Sequence, residues 1–223
     1  MKTVFLWGGV GVAIAAGIFL VLSLAAPSNQ TQSTSSLSLP ISAQRDHIKG
    51  NSEAAVVLVE YGDFQCPACA VYAPLLSQLV AGFGNQLAVA YRHLPLSQIH
   101  ENAEPSARAS EAAALQGKFW EMHDLLFEKQ SEWARQSSAE ETFIGYAASL
   151  GLDEGRFRSD LRSDEVRDRV QEDSISALAD GLSSTPSFFL GGVRIPNPQS
   201  YEQFRQLVLE ALAKHGSTPE SAE

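Results

Sequence analysis

The fold is decided by the stretch Val59-Glu60-Tyr61-Gly62-Asp63-Phe64-Gln65-Cys66-Pro67-Ala68-Cys69, which joins an apolar run to a helix-like segment. The run from Val56 to Val59 is β-branched and aliphatic throughout, a composition typical of a strand buried on both faces. The chain's only two cysteines follow it, three positions apart. A strand, a Cys-x-x-Cys pair and a helix in this order predict a redox-active dithiol.

The two cysteines are expected to have different roles. Pro67 predicts that the helix begins there, because the first helical position does not use its N–H. Cys66 then lies at the helix N-terminus, where free N–H groups and the helix dipole stabilise a thiolate and lower its pKa. Cys69 lies one turn further on the same face, close enough for a Cys66–Cys69 redox disulfide. We expect Cys66 to be the exposed attacking thiol and Cys69 the buried resolving thiol.

Two other uses of the cysteine pair stay open. Half of a zinc site would need ligands from the histidines, and the sequence has no second Cys-x-x-Cys pair and no histidines at zinc-finger spacing. A purely structural disulfide would close a very short loop and gain little loop entropy. The sequence favours redox chemistry without a metal or another cofactor.

The N-terminus carries an apolar run from Val4 to Ala26 that is long enough to span a bilayer. It predicts a transmembrane anchor over residues 1–26, and Lys2 places its N-terminus in the cytoplasm by the positive-inside rule. The alternative is a signal peptide cut after Ser23-Leu24-Ala25, which gives a cleaved and secreted form. Both interpretations export the domain from the cytoplasm, to the periplasm or the outer face of the cell membrane, where disulfides persist.

Composition divides the rest of the chain. Residues 27–44 are rich in Ser, Thr, Gln and Asn and predict a flexible linker, and residues 216–223 predict a disordered tail. The domain between them, residues 45–215, reads β-α-β, a helical block at about 103–180, a β-hairpin and a last helix. This pattern predicts an α/β fold, with a mixed sheet between helices and a helical insertion. The net charge of −10 argues against a nucleic-acid partner.

Two capping boxes mark predicted helix starts. Ser138-x-x-Glu141 precedes a helix expected to end near Gly151, and Ser200-x-x-Gln203 precedes the last helix.

Four motifs, in this order, resemble the DsbA-like thiol:disulfide oxidoreductases of the thioredoxin superfamily. They are the opening stretch Val59 to Cys69, Arg92-His93-Leu94-Pro95-Leu96, Gly117 to Phe127, and Thr185-Pro186-Ser187-Phe188-Phe189. The resemblance runs from about Asp46 to Ala213. It implies a thioredoxin fold in which a helical domain is inserted between the two halves.

The resemblance also implies roles for residues near the cysteines. Pro186 matches the cis-proline that faces the Cys-x-x-Cys pair, and the backbone of Thr185 would pair with an extended substrate strand. Glu60 matches the buried acid of the family, which exchanges a proton with Cys69. The alternative for Glu60 is a strand-end glutamate exposed to water.

Other side chains have weaker assignments. Phe64 is expected to line an apolar groove for unfolded substrate, and Phe119 and Trp120 are either part of that groove or core of the helical insertion. Asp63 is expected to be a turn residue with Gly62.

These observations predict an exported, membrane-tethered, monomeric dithiol oxidase that acts on unfolded or reduced extracytoplasmic proteins. By family analogy, a membrane quinone-linked oxidase of the DsbB or VKOR type would reoxidise it. Ala68 departs from the strongest oxidases of the family, which carry His there, so a disulfide reductase or isomerase is the alternative. A tethered chaperone or a metal-binding module ranks below both.

Overall fold

The structure is a computed structural model that describes residues 36–216. The predicted anchor at 1–26, the first part of the predicted linker and the tail beyond Gly216 lie outside these residues. The strands are β1 (His47–Gly50), β2 (Val56–Gly62), β3 (Leu87–His93), β4 (Ser187–Leu190) and β5 (Val193–Ile195). The helices are α1 (Pro67–Phe83), α2 (Ala103–Ala114), α3 (Phe119–Glu128), α4 (Gln130–Trp133), α5 (Glu140–Ser149), α6 (Glu154–Asp160), α7 (Asp164–Ala179) and α8 (Tyr201–Gly216).

The described strands form one five-stranded sheet in the order β1-β3-β2-β4-β5. β2 and β3 are parallel, as expected for strands joined by a crossover helix, and the other neighbours are antiparallel. The α/β fold with a mixed sheet is therefore confirmed. β1, the edge strand beside β3, is not among the strands that the sequence predicts.

The two faces of β2 serve different helices. Val56 and Leu58 pack in one apolar cluster with α1 and α8, whereas Val59 and Tyr61 pack in another with Ala177 of α7. This alternation follows from the period of two in a strand. Because both faces are covered, β2 is a rigid support for the loop that carries the cysteines.

Helix α1, which follows the cysteine loop, is rich in apolar side chains. Within the described residues, Pro67–Gln86 is the one segment long and apolar enough, by length and composition, to cross a membrane. Here it packs on the sheet, with Cys69, Ala73, Leu76 and Leu79 buried. It is a core helix of this domain.

Between β3 and β4 the chain is helical, from α2 through α7. The helices gather around buried aromatic side chains, among them Trp133 and Phe143, whose rings meet edge to face at 5.1 Å. The same apolar cluster contains Cys66 and Cys69, so the helical insertion and the cysteine loop share one core.

The predicted flexible linker is wrong over residues 36–44. Leu37 donates its N–H to the carbonyl oxygen of Gly192 at 2.9 Å, and Ser38 donates its N–H to Asp180 Oδ1 at 2.7 Å. Leu37 and Ile41 pack against the apolar cluster on the α7 face of the sheet. The polar composition of the segment concealed these two apolar anchors, and this part of the chain belongs to the domain.

A buried ion pair between Arg92 and Asp46 lies beneath the segment 36–44 and binds it to the sheet. Arg92 of β3 is fully buried, and its Nε lies 2.8 Å from Asp46 Oδ1. The same guanidinium donates to the carbonyl oxygens of Leu39 and Pro40 at 3.0 and 3.2 Å. A buried guanidinium needs such partners, because an unpaired buried charge is strongly destabilising.

Candidate active site

Cys66 occupies the N-cap of α1, with Pro67 at the first helical position, as predicted. Its N–H donates to the carbonyl oxygen of Asp63 at 3.0 Å, which closes the turn between β2 and α1. Cys66 is only 8% exposed, while Pro67 and Ala68 are exposed. The expectation of an exposed attacking thiol is therefore wrong, because Thr185 and the apolar cluster of the helical insertion cover the residue.

The two thiols have opposite pKa shifts. The pKa of Cys66 is lowered to about 5, first by the hydrogen bond that the Cys69 thiol donates and then by the Thr185 side chain and the N–H groups of Cys69 and Ala68, against the opposing effect of burial. The pKa of Cys69 is raised well above its ordinary value by burial and by its hydrogen bond to Cys66. Both cysteines are free thiols in this structure. The dithiol therefore ionises at one sulfur, Cys66.

The Thr185 hydroxyl fits a thiolate at Cys66. While Cys66 is a neutral thiol, this buried oxygen has no hydrogen-bond partner in the described part of the chain. As a donor to a Cys66 thiolate, the same side chain lowers the pKa of Cys66. Ionisation of Cys66 thus supplies the partner that the hydroxyl otherwise lacks.

The bond between Thr185 and Pro186 is cis, as the resemblance implied. Pro186 is buried, and Cys66 Sγ lies 3.5 Å from the carbonyl oxygen of Thr185. Asn197 Nδ2 donates to the carbonyl oxygen of Pro186 at 2.8 Å and fixes the loop. The pairing of the Thr185 backbone with a substrate strand stays a prediction.

Glu60 is fully buried in β2, so the water-exposed alternative is wrong. Neither carboxyl oxygen has a hydrogen-bond partner among residues 36–216. Burial, and next the negative charge of Cys66, raise the pKa of Glu60 to about 8. At neutral pH the side chain is mainly a neutral acid that can give a proton to a nearby thiolate.

Phe64 does not line a groove. It is 1% exposed, and its ring stacks on Tyr91 at 5.1 Å and packs on Phe127 at 4.9 Å. Phe119 is also buried and stacks on His47, and Trp120 is partly buried. The predicted substrate contact of Phe64 is therefore wrong, since its ring is needed to join the cysteine loop to the helical insertion.

Asp63 contributes more than a turn. Its Oδ1 accepts the N–H of Gln65 at 2.8 Å, and its Oδ2 accepts the N–H of Leu96 at 3.0 Å and meets His100 Nδ1 at 2.7 Å. The buried carboxylate thus ties the loop before Cys66 to the loop after β3. Its place three residues before Cys66 was the one signal in the sequence.

Gln130 of α4 was missed entirely. Its Nε2 donates to the carbonyl oxygens of Phe64 and Cys66, at 2.7 and 3.0 Å. Gln65 makes the reciprocal contact, donating to the carbonyl oxygen of Ala134 at 2.6 Å. The helical insertion therefore holds the cysteine loop through the Gln130 amide, which belongs to no sequence motif, and through the amide of Gln65 on the loop itself.

Within residues 36–216 no three His, Cys, Asp or Glu side chains come together as a group that could hold a metal ion. The metal-binding alternative finds no donor set in that part of the chain.

Comparison with known proteins places this geometry in a family. The family described as thioredoxin matches residues 42–210. The oxidised form of BdbD from Bacillus subtilis superposes with a TM-score of 0.70 at 21% identity, covering 80% of this chain and 98% of that protein. A thioredoxin-like oxidoreductase from Silicibacter pomeroyi DSS-3 gives a TM-score of 0.64 at 27% identity, covering 76% of this chain and 93% of that protein. The thioredoxin fold predicted from the sequence is thus confirmed.

One similar curated protein is named as an ion antiporter and not as an oxidoreductase. The Na(+)/H(+) antiporter NhaA 1 of Salinispora arenicola is 40% identical over 177 residues, which is 79% of this chain and 26% of the relative. The chain spans about a quarter of the length of the curated relatives it matches.

Proposed function

The chain belongs to the thioredoxin family, and on this premise we propose that it is a DsbA-like thiol:disulfide oxidoreductase, a dithiol oxidase that introduces disulfides into other proteins. The observation that favours oxidation of substrates over their reduction is the pair of opposite pKa shifts at Cys66 and Cys69. A thiolate stabilised at Cys66 stabilises the reduced protein. The protein therefore gives up its disulfide readily and oxidises its partner.

The first step of the reaction forms a mixed disulfide. A substrate thiolate attacks Cys66 Sγ, the bond between Cys66 and Cys69 breaks, and its electron pair leaves on Cys69 Sγ. The buried Cys69 thiolate takes a proton from Glu60, whose carboxyl group is protonated at neutral pH. Glu60 becomes a carboxylate and later regains a proton from solvent.

The second step releases the product. A second substrate thiolate attacks the substrate sulfur of the mixed disulfide, so the substrate disulfide forms and Cys66 leaves as a thiolate. Its lowered pKa makes Cys66 a good leaving group. Two substrate thiols have then lost two electrons, and the protein holds the Cys66 thiolate and the Cys69 thiol.

We place this oxidase outside the cytoplasm, held by the apolar run Val4 to Ala26 as a single-pass anchor, with the N-terminus in the cytoplasm. Its substrates there are unfolded or reduced proteins. The protein acts as a monomer, and a quinone-linked membrane oxidase of the DsbB or VKOR type reoxidises it. The antiporter relatives support a membrane setting, because a domain like this one accounts for about a quarter of their length.

A reduction-potential measurement tests the oxidase direction against the reductase alternative. The protein is equilibrated with reduced and oxidised glutathione, and the fraction of the Cys66–Cys69 disulfide is determined. The proposal predicts a potential more oxidising than about −220 mV, on the side of DsbA at about −120 mV. A potential near about −270 mV, as in thioredoxin, overturns it and favours a reductase.

A turnover assay separates the oxidase from a tethered chaperone. The oxidised protein should form disulfides in a reduced, unfolded protein, and Cys66→Ser should abolish this. A chaperone without redox turnover predicts that Cys66→Ser assists folding as well as the wild type does.

A further inference from the structure

Tyr91 brings a second buried polar group next to the acid of the site. It lies on β3 directly opposite Glu60 of β2 in the parallel ladder, and both residues are fully buried. In the region the structure describes, the Tyr91 hydroxyl and both Glu60 carboxyl oxygens have no hydrogen-bond partner. Buried polar groups without partners are rare in folded proteins, and two on neighbouring strands call for a common reason.

Gly62 shows where the tyrosine hydroxyl lies. A Cβ at position 62 would come within 2.6 Å of Tyr91 Cε2 and 2.7 Å of its hydroxyl oxygen, so glycine is what leaves room for the phenol end. Glu60 and Gly62 are two residues apart on one strand and face the same side of the sheet. Their Cα atoms are separated by about 7 Å. The hydroxyl therefore lies over Gly62 on the Glu60 face of β2, two positions along the strand from Glu60 in the direction of Cys66.

We propose that the Tyr91 hydroxyl is the donor that stabilises the Glu60 carboxylate, directly or through one water, once Glu60 has given its proton to Cys69. The proposal rests on the exchange reaction proposed above. Tyr91 keeps its own proton and passes no electron, so it acts as a positioning residue through Glu60. Burial raises the pKa of Tyr91 well above its ordinary value, which keeps the hydroxyl a donor.

The surroundings leave Tyr91 as the suitable donor. The titratable groups that face Glu60 and Tyr91 are Cys66, Cys69 and Tyr72 from α1, Asp63 from the loop, His123 from α3 and His93 from β3. The Nε2 atom of His93 is taken up by Glu111 at 2.7 Å. Burial lowers the pKa of His123 to about 4, so it brings no positive charge at neutral pH. On β4, the other neighbour of β2, the residue paired with Glu60 is Phe188, which has no polar side-chain atom.

The test is the titration of Glu60 in the full chain with its cysteines oxidised, so that no thiol ionises. The protonated-carboxyl infrared band of Glu60 is identified as the band lost in Glu60→Gln. In Tyr91→Phe we expect its midpoint to rise by about one pH unit, because one hydrogen bond to a carboxylate is lost. One tyrosine C–O band should also shift with the Glu60 midpoint in the wild type and stay unshifted in Glu60→Gln, a measurement that needs no Tyr91 variant.

Tyr61→Phe is the matched control, since that hydroxyl bonds Ser176 on the other face of the sheet. It should leave the Glu60 midpoint unchanged. In the Glu60→Gln background, Tyr91→Phe should not shift the pH profile of thiol–disulfide exchange further. An unshifted Glu60 midpoint in Tyr91→Phe, an equal shift in Tyr61→Phe, or an undiminished Tyr91→Phe effect beside Glu60→Gln overturns the proposal.

Failure of this inference is distinguishable from failure of the oxidase proposal. A thioredoxin-like reduction potential overturns the oxidase direction and leaves the titration result intact. An unmoved Glu60 midpoint with an oxidising potential overturns only the role of Tyr91.

Discussion

Replacing Glu60 by Gln should stabilise the reduced protein at neutral pH while impairing its chemistry. Burial, and next the charge of the Cys66 thiolate, raise the pKa of Glu60 from 4.5 to about 8, so between these values the unfolded chain is ionised while the folded protein keeps the proton. The folded state then binds more protons, and its stability falls as the pH rises through that window. At about 1.4 kcal/mol per pKa unit, this costs the folded state about 3 kcal/mol at pH 7. Gln has nearly the same shape and does not titrate.

The assay is denaturant unfolding of the reduced wild type and reduced Glu60→Gln at about pH 4 and about pH 7. The advantage of the variant should grow by about 3 kcal/mol between the two conditions. Glu53→Gln, at an exposed glutamate, is the control and should show little change. A Glu60→Gln advantage that is the same at both pH values, or a loss of stability at pH 7, would refute the claim that this carboxyl is buried and protonated.

Three further predictions concern packing, a buried charge and the thiols. Gly62→Ala should destabilise the protein by about 1–3 kcal/mol in thermal unfolding because the new Cβ meets the Tyr91 ring. Gly145→Ala is the control and should be neutral or stabilising, since the space around Gly145 is open. Equal effects of the two substitutions would contradict this packing. Asp46→Ala should cost about 3–5 kcal/mol in denaturant unfolding because it leaves a buried arginine unpaired, and a cost below about 1 kcal/mol would show that the arginine finds other partners. The thiolate absorbance of the reduced protein should titrate with a midpoint near pH 5 at Cys66. Cys69→Ala should raise that midpoint because it removes the hydrogen bond that stabilises the thiolate most. An unchanged midpoint would assign the shift to the helix N-terminus alone.

The parts of the fold that the sequence predicted are those with a local cause. Pro67 determines the start of α1, and the run before Glu60 determines a strand buried on both faces. The Ser200 cap also holds, since its Oγ accepts the N–H of Gln203 at 3.3 Å. The similar box at Ser138 does not form, because α5 begins at Glu140 without a side-chain cap.

What the sequence concealed depends on contacts between distant residues. β1 is a short edge strand of four residues with no buried face, so its pairing with β3 leaves no periodic pattern. Gln130 reaches the cysteine loop across more than sixty positions of the chain. The substrate role expected for Phe64 failed for the same reason, since only the folded chain shows that the helical insertion covers its ring.

Alkylation of the reduced wild-type protein tests the asymmetry of the two thiols most directly. At about pH 6, iodoacetamide should label Cys66 at least about a hundredfold faster than Cys69, because Cys66 is mainly a thiolate there while Cys69 is a neutral thiol with no exposed surface. Peptide mass mapping at early times measures both rates. Labelling of the two cysteines at similar rates, or of Cys69 first, would contradict the assignment of Cys66 as the nucleophile and leaving group of the exchange reaction.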